Sequence, residues 1–275
     1  MDTTPAIRRR IRKIMKNSEA DTSNPETSEW YERAFQAEYL EVYPARTVEA
    51  AEREVEAALR WLSPGSGDRC LDLCCGAGRH SHWLAKSTVD LHALDLSAEL
   101  LEQAQQKLPE KVKLHRGDMR QLPFEDQFFD HVMMFFTSFG YFEEDEENSR
   151  VLAEVARVVR PGGGFLLDLP DRESTLKSLV PNSQRRVGEL TIEEARSITA
   201  DGKRVEKQVS LKGPSGEEGY IESVRLFSAE EVTSMLKQEG WGDIRCYGDW
   251  NDQPHRSGES PRMIFSARRS QAESK

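Results

Sequence analysis

Residues Cys70–Gly78 read Cys-Leu-Asp-Leu-Cys-Cys-Gly-Ala-Gly and decide the fold. This stretch is a short apolar run that meets a glycine-rich turn, and a helical pattern follows over 79–86. A strand, a glycine turn and a helix in this order present backbone N–H groups to nucleotide-like ligands in α/β sheets. Gly76 and Gly78 lack a Cβ, so they permit both the tight turn and the close approach of a ligand. The stretch therefore predicts a parallel α/β sheet with a ligand site at a strand end.

Two carboxylates narrow the chemistry of that ligand. The dinucleotide pattern G-x-G-x-x-G is incomplete because Ser81 stands at its third glycine. Asp72 lies four residues before Gly76, where it would repel a pyrophosphate but suits the ammonium of an amino acid. Asp95 ends the next strand candidate, near the spacing of about 20 residues at which a carboxylate binds ribose hydroxyls. An amino-acid moiety joined to a ribose describes S-adenosylmethionine.

Further blocks follow in a recognisable order. They are 71–81, 93–97, 117–124 and 160–168, with 129–142 between the last two. With these blocks the chain resembles the class I S-adenosylmethionine-dependent methyltransferases from about Trp30 to Ser266. Block 129–142 resembles a subgroup of small methyltransferases whose substrates are largely unassigned. The resemblance implies an α/β fold, a doubly wound, Rossmann-like, seven-stranded and mostly parallel sheet.

The resemblance also implies roles for individual residues. The methionine end of the cofactor would lie against Asp72 and the glycine loop, and the ribose hydroxyls would bind Asp95. The adenine would pack between apolar side chains, with its amino group donating to Asp118. The end of the fourth strand would face the sulfonium. The cofactor-binding residues implied in this way are Asp72, Cys74, Gly76, Gly78, Asp95, Leu96, Asp118, Met119, Phe136 and Thr137.

Residues for the methyl acceptor come from segments expected over the carboxyl end of the sheet. Tyr141 and His255 are candidates for catalysis, and the identity of a general base stays open. The candidates for acceptor binding are Tyr31, Tyr39, Tyr141 and Arg262, with Tyr43, Arg46 and Trp250 from the same segments. An aromatic stripe such as Trp30-Tyr31-Phe35-Tyr39 is also typical of a helix core.

The remaining pattern predicts the organisation of the chain. Asp201-Gly202 and the turn at 213–216 join short alternating runs, which indicates antiparallel hairpins. The sequence therefore predicts a small antiparallel β insertion after the fifth strand, over 183–227. We expect a flexible N-terminal tail at 1–26, helices covering the pocket at 27–67, the cofactor-binding core at 68–182, and the rest of that core at 228–270.

Composition limits the classes of function. The net charge of −10 disfavours nucleic acid as a partner, since binding phosphates needs a basic face. No stretch reaches the roughly 18 apolar residues of a membrane span. No apolar run follows the basic residues at 8–13, so no secretory signal is predicted. The four cysteines lack the spacing of a zinc site and indicate a reducing compartment, so we expect a cytoplasmic protein without a metal.

These observations favour one function and leave others open. The favoured function is transfer of a methyl group from S-adenosylmethionine to nitrogen or oxygen of a small-molecule acceptor, by in-line displacement and without metal, in a monomer or homodimer. One alternative is a protein or RNA methyltransferase that docks its substrate on the insertion. The other is a nucleotide-binding oxidoreductase or a non-catalytic cofactor-binding module, although Asp72 and Ser81 disfavour the oxidoreductase.

Overall fold

The computed structural model describes residues 30–31, 47–214 and 216–271. Tyr39, Tyr43, Arg46 and the tail at 1–26 lie outside these residues, as does most of the first helical segment expected at 27–67. The strands, in chain order, are β1 (Arg69–Leu73), β2 (Asp90–Asp95), β3 (Lys113–Arg116), β4 (Phe129–Met134), β5 (Val159–Pro170), β6 (Asn182–Val187), β7 (Leu190–Ile198), β8 (Arg204–Gly213), β9 (Gly216–Arg225), β10 (Trp241–Tyr247) and β11 (Arg262–Arg269).

Seven of these strands form one sheet in the order β10-β11-β5-β4-β1-β2-β3. β1 pairs in parallel with both β2 and β4, while β11 is antiparallel to both of its neighbours. The chain thus builds outward in one direction from β1 to β3 and then crosses back to β4. Ligands bind at such a switch point, outside the carboxyl ends of the strands. The predicted seven-stranded, mostly parallel sheet is confirmed.

Six helices have described bounds: α1 (Ala51–Leu62), α2 (Arg79–Leu84), α3 (Ala98–Lys107), α4 (Asp145–Val158), α5 (Arg172–Ser178) and α6 (Ala229–Gln238). Their starts follow local chemistry. The Ser97 side chain accepts from Leu100 N ahead of α3, and Ser228 forms a reciprocal capping box with Glu231 ahead of α6. The first turn of α4 contains Asp145, Glu146 and Glu147. Carboxylates at this position interact favourably with the positive end of the helix dipole. None of the described helices combines the length and apolarity needed to cross a membrane.

Side chains on both faces of the large sheet are buried. Leu71 and Leu73 of β1 join a core with the β4–β5 region, α4 and α6, whereas Cys70 joins a core with α1 and α2 on the opposite face. This alternation follows from the two-residue period of a strand. Asp72 shares the face of Cys70, so its side chain points toward the helices α1 and α2 and away from Leu71.

The second sheet is antiparallel, with the order β6-β7-β8-β9, and it lies in the chain between α5 and α6. The insertion after the fifth strand is confirmed. Its ladder has four strands, although the alternating runs in the sequence marked only three. β6 was missed because its sequence, Asn-Ser-Gln-Arg-Arg-Val, has no apolar alternation and both of its faces stay partly exposed.

Candidate active site

A cavity of about 610 Å³ opens at the carboxyl ends of β1, β2 and β4. This volume is in the range of small-molecule sites. The cavity is lined by residues that follow β2, β3 and β4, by the start of α2, and by Tyr31. The cavity brings together nine residues predicted from the sequence: Tyr31, Cys74, Gly76, Asp95, Leu96, Asp118, Met119, Phe136 and Tyr141.

Asp95 is held at the cavity wall by the backbone. Its Oδ2 accepts from Gly76 N at 2.7 Å and its Oδ1 accepts from Ser97 N at 2.9 Å. Burial raises the pKa of Asp95, while the backbone donors oppose that shift. Each oxygen retains a lone pair, so the carboxylate can accept from a pair of hydroxyl groups. The group is fixed in place and acceptor-only, as a ribose site requires.

Asp118 and Met119 also line the cavity. The Asp118 carboxylate accepts from Arg120 Nη2 at 2.7 Å and from Arg120 N at 2.8 Å. Burial opposes ionisation of Asp118, but the bonds from Arg120 outweigh it and lower its pKa. Met119 Sδ is 3.6 Å from Cys74 Sγ, which gives an apolar, polarisable wall next to Leu96. An adenine ring fits between such a wall and a fixed carboxylate.

Two of the predicted residues in the β1–α2 turn do not line the cavity. The Asp72 side chain is buried behind the glycine loop, where it accepts from Ser81 Oγ at 2.5 Å. Burial raises the pKa of Asp72 to about 7, while Ser81 and Arg79 oppose the shift. Gly78 has φ +82° and packs its Cα against α3, since a Cβ there would come within 2.8 Å of Leu108 Cδ1. Both residues shape the loop from behind, and their contact with the cofactor stays a prediction.

The turn after β4 is strained and braced. Phe136 and Thr137 have φ values of +53° and +59°, which non-glycine residues adopt at a cost. Asp168, fully buried at the end of β5, offsets that cost, because its Oδ2 accepts from Phe136 N and its carbonyl accepts from Thr137 N, both at 2.9 Å. Phe136 lines the cavity, whereas Thr137 Oγ1 faces Arg262 at 3.3 Å. Thr137 does not line the cavity, and its contact with the cofactor stays a prediction.

Arg262 and His255 also lie outside the cavity lining. The Arg262 guanidinium forms a buried ion pair with Asp168, so it braces the β4 turn. His255 Nε2 is 2.8 Å from Asp171 Oδ2, and Gly258 N donates to the same carboxylate. His255 was a catalytic candidate because of its position in a loop, and its side chain instead helps to fix that loop. Tyr141 remains the candidate at the cavity wall.

The insertion touches the site indirectly. Arg204 of β8 donates to the carbonyls of Phe142 at 2.9 Å and Tyr141 at 3.4 Å, and Arg225 N donates to Gly140 O at 2.8 Å. None of the described residues of 183–227 lines the cavity. The sheet therefore supports the loop that carries Tyr141 from behind. Tyr31 contacts Phe142, and Trp30 contacts Tyr141.

Sequence reasoning missed a charged group beside the cavity. Glu54 of α1 contacts both Arg79 and His80, which follow the glycine loop and line the cavity. Arg79 also lies 4.6 Å from the Phe136 ring centroid. The sequence offered one sign of this group, the pair Arg79-His80 directly after Gly78. Glu54 itself gave no sign, because it lies 24 residues before Gly78 on an ordinary amphipathic helix. Among the described residues, no group of three or more His, Cys, Asp or Glu side chains could hold a metal ion.

Comparison with known proteins agrees with this geometry. A family model described as a methyltransferase domain matches residues 70–163. YqeM from Bacillus subtilis (strain 168), described as a methyltransferase, is 30% identical over 224 residues, which cover 78% of this chain and 88% of that protein. The cypemycin N-terminal methyltransferase of Streptomyces sp is 37% identical over 190 residues, covering 67% of this chain and 71% of that enzyme.

Other matches are shorter or concern the fold alone. The 2-phytyl-1,4-naphtoquinone methyltransferase of Trichormus variabilis is 36% identical over 115 residues, or 38% of this chain, and the match spans only 48% of that enzyme. Among solved structures, the S-adenosylmethionine-bound amino pentose methyltransferase CalS10 from Micromonospora echinaspora has a TM-score of 0.62 at 23% identity, with 84% of this chain and 96% of that chain covered.

Proposed function

Because the chain belongs to the class I S-adenosylmethionine-dependent methyltransferases, we propose that it methylates a nitrogen or oxygen atom of a small-molecule acceptor by in-line displacement. The observation that carries the proposal is the lining of the cavity, which combines a fixed carboxylate, an apolar wall and a group of aromatic side chains. Such a lining suits a nucleoside-bearing donor and a small acceptor placed side by side.

The residues present fit S-adenosylmethionine. Asp95 would accept from the ribose hydroxyls, Leu96 and Met119 would pack against the adenine, and Asp118 would accept from its amino group. Bound in this way, S-adenosylmethionine supplies a methyl group already activated on a sulfonium. The protein therefore has to orient the acceptor and exclude water, with no metal needed. Phe136, Tyr141 and Phe142 supply the apolar surface for both tasks.

Nitrogen is the first acceptor to test. The cypemycin enzyme, by its name, methylates an N-terminus, and it is similar to this chain over two thirds of its length. A neutral amine attacks without prior loss of a proton, so it needs no general base. This suits the cavity, because the carboxylates of Asp95 and Asp118 are already bonded to neighbouring groups. A panel of small amines, phenols and carboxylates, scored by release of S-adenosylhomocysteine, tests the acceptor class. Turnover only with protein or RNA substrates would reject the small-molecule proposal.

Asp95→Ala tests the binding mode. We expect affinity for S-adenosylhomocysteine to fall by about 2 kcal/mol, because two hydrogen bonds to a charged acceptor are lost. Calorimetry gives the affinity, and NAD should not bind. Asp90→Ala is the matched control, since Asp90 lies on the same strand and pairs with Lys113 away from the cavity. Equal affinities for the Asp95 and Asp90 variants would remove Asp95 from the binding site.

Metal independence is a separate prediction. We expect turnover of an acceptor from the panel to be the same in excess chelator and in added magnesium, because the activated methyl needs no Lewis acid. Rates measured before and after dialysis against chelator decide the question. A large loss that magnesium restores would contradict it.

A further inference from the structure

His80 occupies a position that the reaction proposed above leaves unexplained. It lies in the first turn of α2, lines the cavity and is only 5% exposed. Its ring stacks on Phe135, with centroids 4.1 Å apart and planes 12° from parallel. Phe135 directly follows β4 and lines the cavity as well. His80 is therefore a rigidly held polar side chain in the cavity lining, next to the residues that follow β4.

Glu54 determines which nitrogen of that ring carries the proton. Glu54 Oε2 lies 2.5 Å from His80 Nε2 and 3.3 Å from Arg79 Nη2. A carboxylate at this distance assigns the N–H to Nε2 and leaves the lone pair on Nδ1. Burial lowers the pKa of His80 to about 4, with Arg79 acting in the same direction and Glu54 opposing it. Within the described ranges, the bond with Glu54 is the only hydrogen bond of this side chain.

A neutral imidazole with a free lone pair has a definite use beside an incoming nucleophile. We propose that His80 Nδ1 accepts a hydrogen bond from the N–H or O–H of the methyl acceptor, and that Glu54 positions His80 for this contact. The inference rests on the proposed function and assigns the residue that orients its acceptor.

The contact assists the transfer without moving a proton to His80. The lone pair of the acceptor atom forms the new bond to the methyl carbon while the carbon–sulfur bond breaks and its electron pair stays on sulfur. Positive charge develops on the acceptor atom, so its N–H or O–H becomes a stronger donor. The hydrogen bond to Nδ1 therefore strengthens in the transition state, which is the kind of interaction that raises kcat. The proton leaves later, to solvent.

Sinefungin tests the placement without a known acceptor. It carries an aminated carbon where S-adenosylmethionine has its methylated sulfur, so its ammonium reaches toward the acceptor position. S-adenosylhomocysteine lacks that donor. We expect His80→Phe to weaken sinefungin about tenfold more than S-adenosylhomocysteine in calorimetry, because it keeps the stack on Phe135 and removes the acceptor. His82→Phe is the control, because His82 lies two residues further along α2 and does not line the cavity. This substitution should change neither affinity.

Glu54→Gln separates positioning from packing. A glutamine amide can donate to Nε2, which moves the imidazole proton to Nδ1 and turns the acceptor into a donor. We expect the same selective loss of sinefungin binding as in His80→Phe. Nitrogen NMR of the histidine-labelled wild type gives a second readout: sinefungin, and not S-adenosylhomocysteine, should shift Nδ1 toward its hydrogen-bonded value.

Failure of the role of His80 and failure of the proposed function would give different results. Equal effects of His80→Phe on both ligands, or an Nδ1 signal that sinefungin leaves unchanged, would overturn the role of His80 while the proposed function stands. A wild-type protein that binds neither ligand would overturn the proposed function and this inference together.

Discussion

Asp72 and Asp95 lie near the carboxyl ends of the neighbouring strands β1 and β2 and differ in what surrounds them. Both are removed from bulk water, and burial raises the pKa of each. The Asp72 carboxylate is bonded by a side chain, Ser81, behind the glycine loop. The Asp95 carboxylate is bonded by two backbone N–H groups at the cavity wall. The first therefore fixes the loop, and the second remains available to a ligand.

The ion pair of Asp168 and Arg262 should contribute mainly to stability. Arg262→Gln would leave Asp168 buried, charged and without its guanidinium, at a cost of about 3 kcal/mol. Asp168→Asn would cost less, since Asn still accepts from Phe136 N and Arg262 keeps a path to solvent at 20% exposure. Urea denaturation of the singles and the double variant gives the coupling. Strictly additive losses would show that the two side chains act independently.

His92 should make stability depend on pH. It is buried against Phe124, Phe128 and Phe129, and burial together with Lys113 and His115 lowers its pKa to about 4. Between pH 6.5 and 4 the unfolded chain binds a proton here that the folded chain does not. The unfolding free energy therefore falls as the pH drops through this window, by up to about 1.4 kcal/mol per pH unit for one proton.

Replacing the imidazole isolates this contribution. In His92→Phe we expect a flatter slope of unfolding free energy against pH between 4.5 and 6. Phe128→Leu is the control, because it disturbs the same aromatic cluster without removing a titratable group. An unchanged slope in His92→Phe would assign the pH dependence to other residues.

At the residue scale, sequence motifs predicted the cavity side chains that sit directly on the sheet edge. Asp95 ends β2 and Phe136 follows β4, two strands with a plain apolar pattern, so their positions could be counted from the strand ends. Asp118 follows β3, a short and largely polar strand, and was indicated by the family resemblance alone. Glu54 and Asp168 could not be found in this way. Their roles depend on contacts with residues 26 and 94 positions away in the sequence, His80 and Arg262 respectively, which only the packed structure brings together.

At the element scale, the glycine turn is fixed by packing as much as by its backbone angles. Gly67 and Gly78 have φ values of +83° and +82°, so alanine would be strained equally in both. Nothing lies within 4 Å of a Cβ built on Gly67, whereas one on Gly78 would meet Leu108 Cδ1 at 2.8 Å. The pair therefore separates backbone strain from steric overlap.

We expect Gly67→Ala to cost about 1 kcal/mol, the penalty for a left-handed non-glycine residue. Gly78→Ala should cost about 1–3 kcal/mol more, because α2 and α3 must move apart. Thermal and urea unfolding measure both values. Leu108→Ala should restore part of the loss in Gly78→Ala and none in Gly67→Ala. Equal costs at the two glycines would refute the steric argument.

The elements themselves were predictable where periodicity was strong. The hairpin turn at Asp201-Gly202 appears where the pattern indicated it, between β7 and β8. β5 begins at Val159, directly after α4 ends at Val158, and its pairing with β4 shifts register between Phe129 and His131. Helix-breaking residues indicate where a helix ends, but they do not indicate which strand the following segment pairs with.

At the scale of the whole molecule, the antiparallel sheet and the cavity are joined through one loop. Gly140 has φ +92°, and a Cβ there would come within 2.7 Å of Arg225 O, so the loop lies directly against β9. Arg204 donates to the carbonyls of the same loop. Trp30 Nε1 donates to Tyr141 O at 3.3 Å from the other side. The loop that carries Tyr141 is thus held between the sheet and the N-terminal aromatic residues.

Arg204→Met should loosen this loop while leaving the rest of the fold in place. Methionine keeps most of the packing volume but donates no hydrogen bond, so several loop carbonyls would lose a charged donor. We expect faster hydrogen exchange at the amides of 139–143, weaker binding of S-adenosylhomocysteine by a few-fold, and unchanged exchange in β1 and β4. Lys212→Met is the matched control, because Lys212 pairs with Glu193 at an exposed site in the same sheet. If Arg204→Met and Lys212→Met gave the same exchange pattern, the sheet would be a separate structural unit. If only the loop responded in Arg204→Met, the sheet would be what holds the cavity wall at Tyr141 in shape.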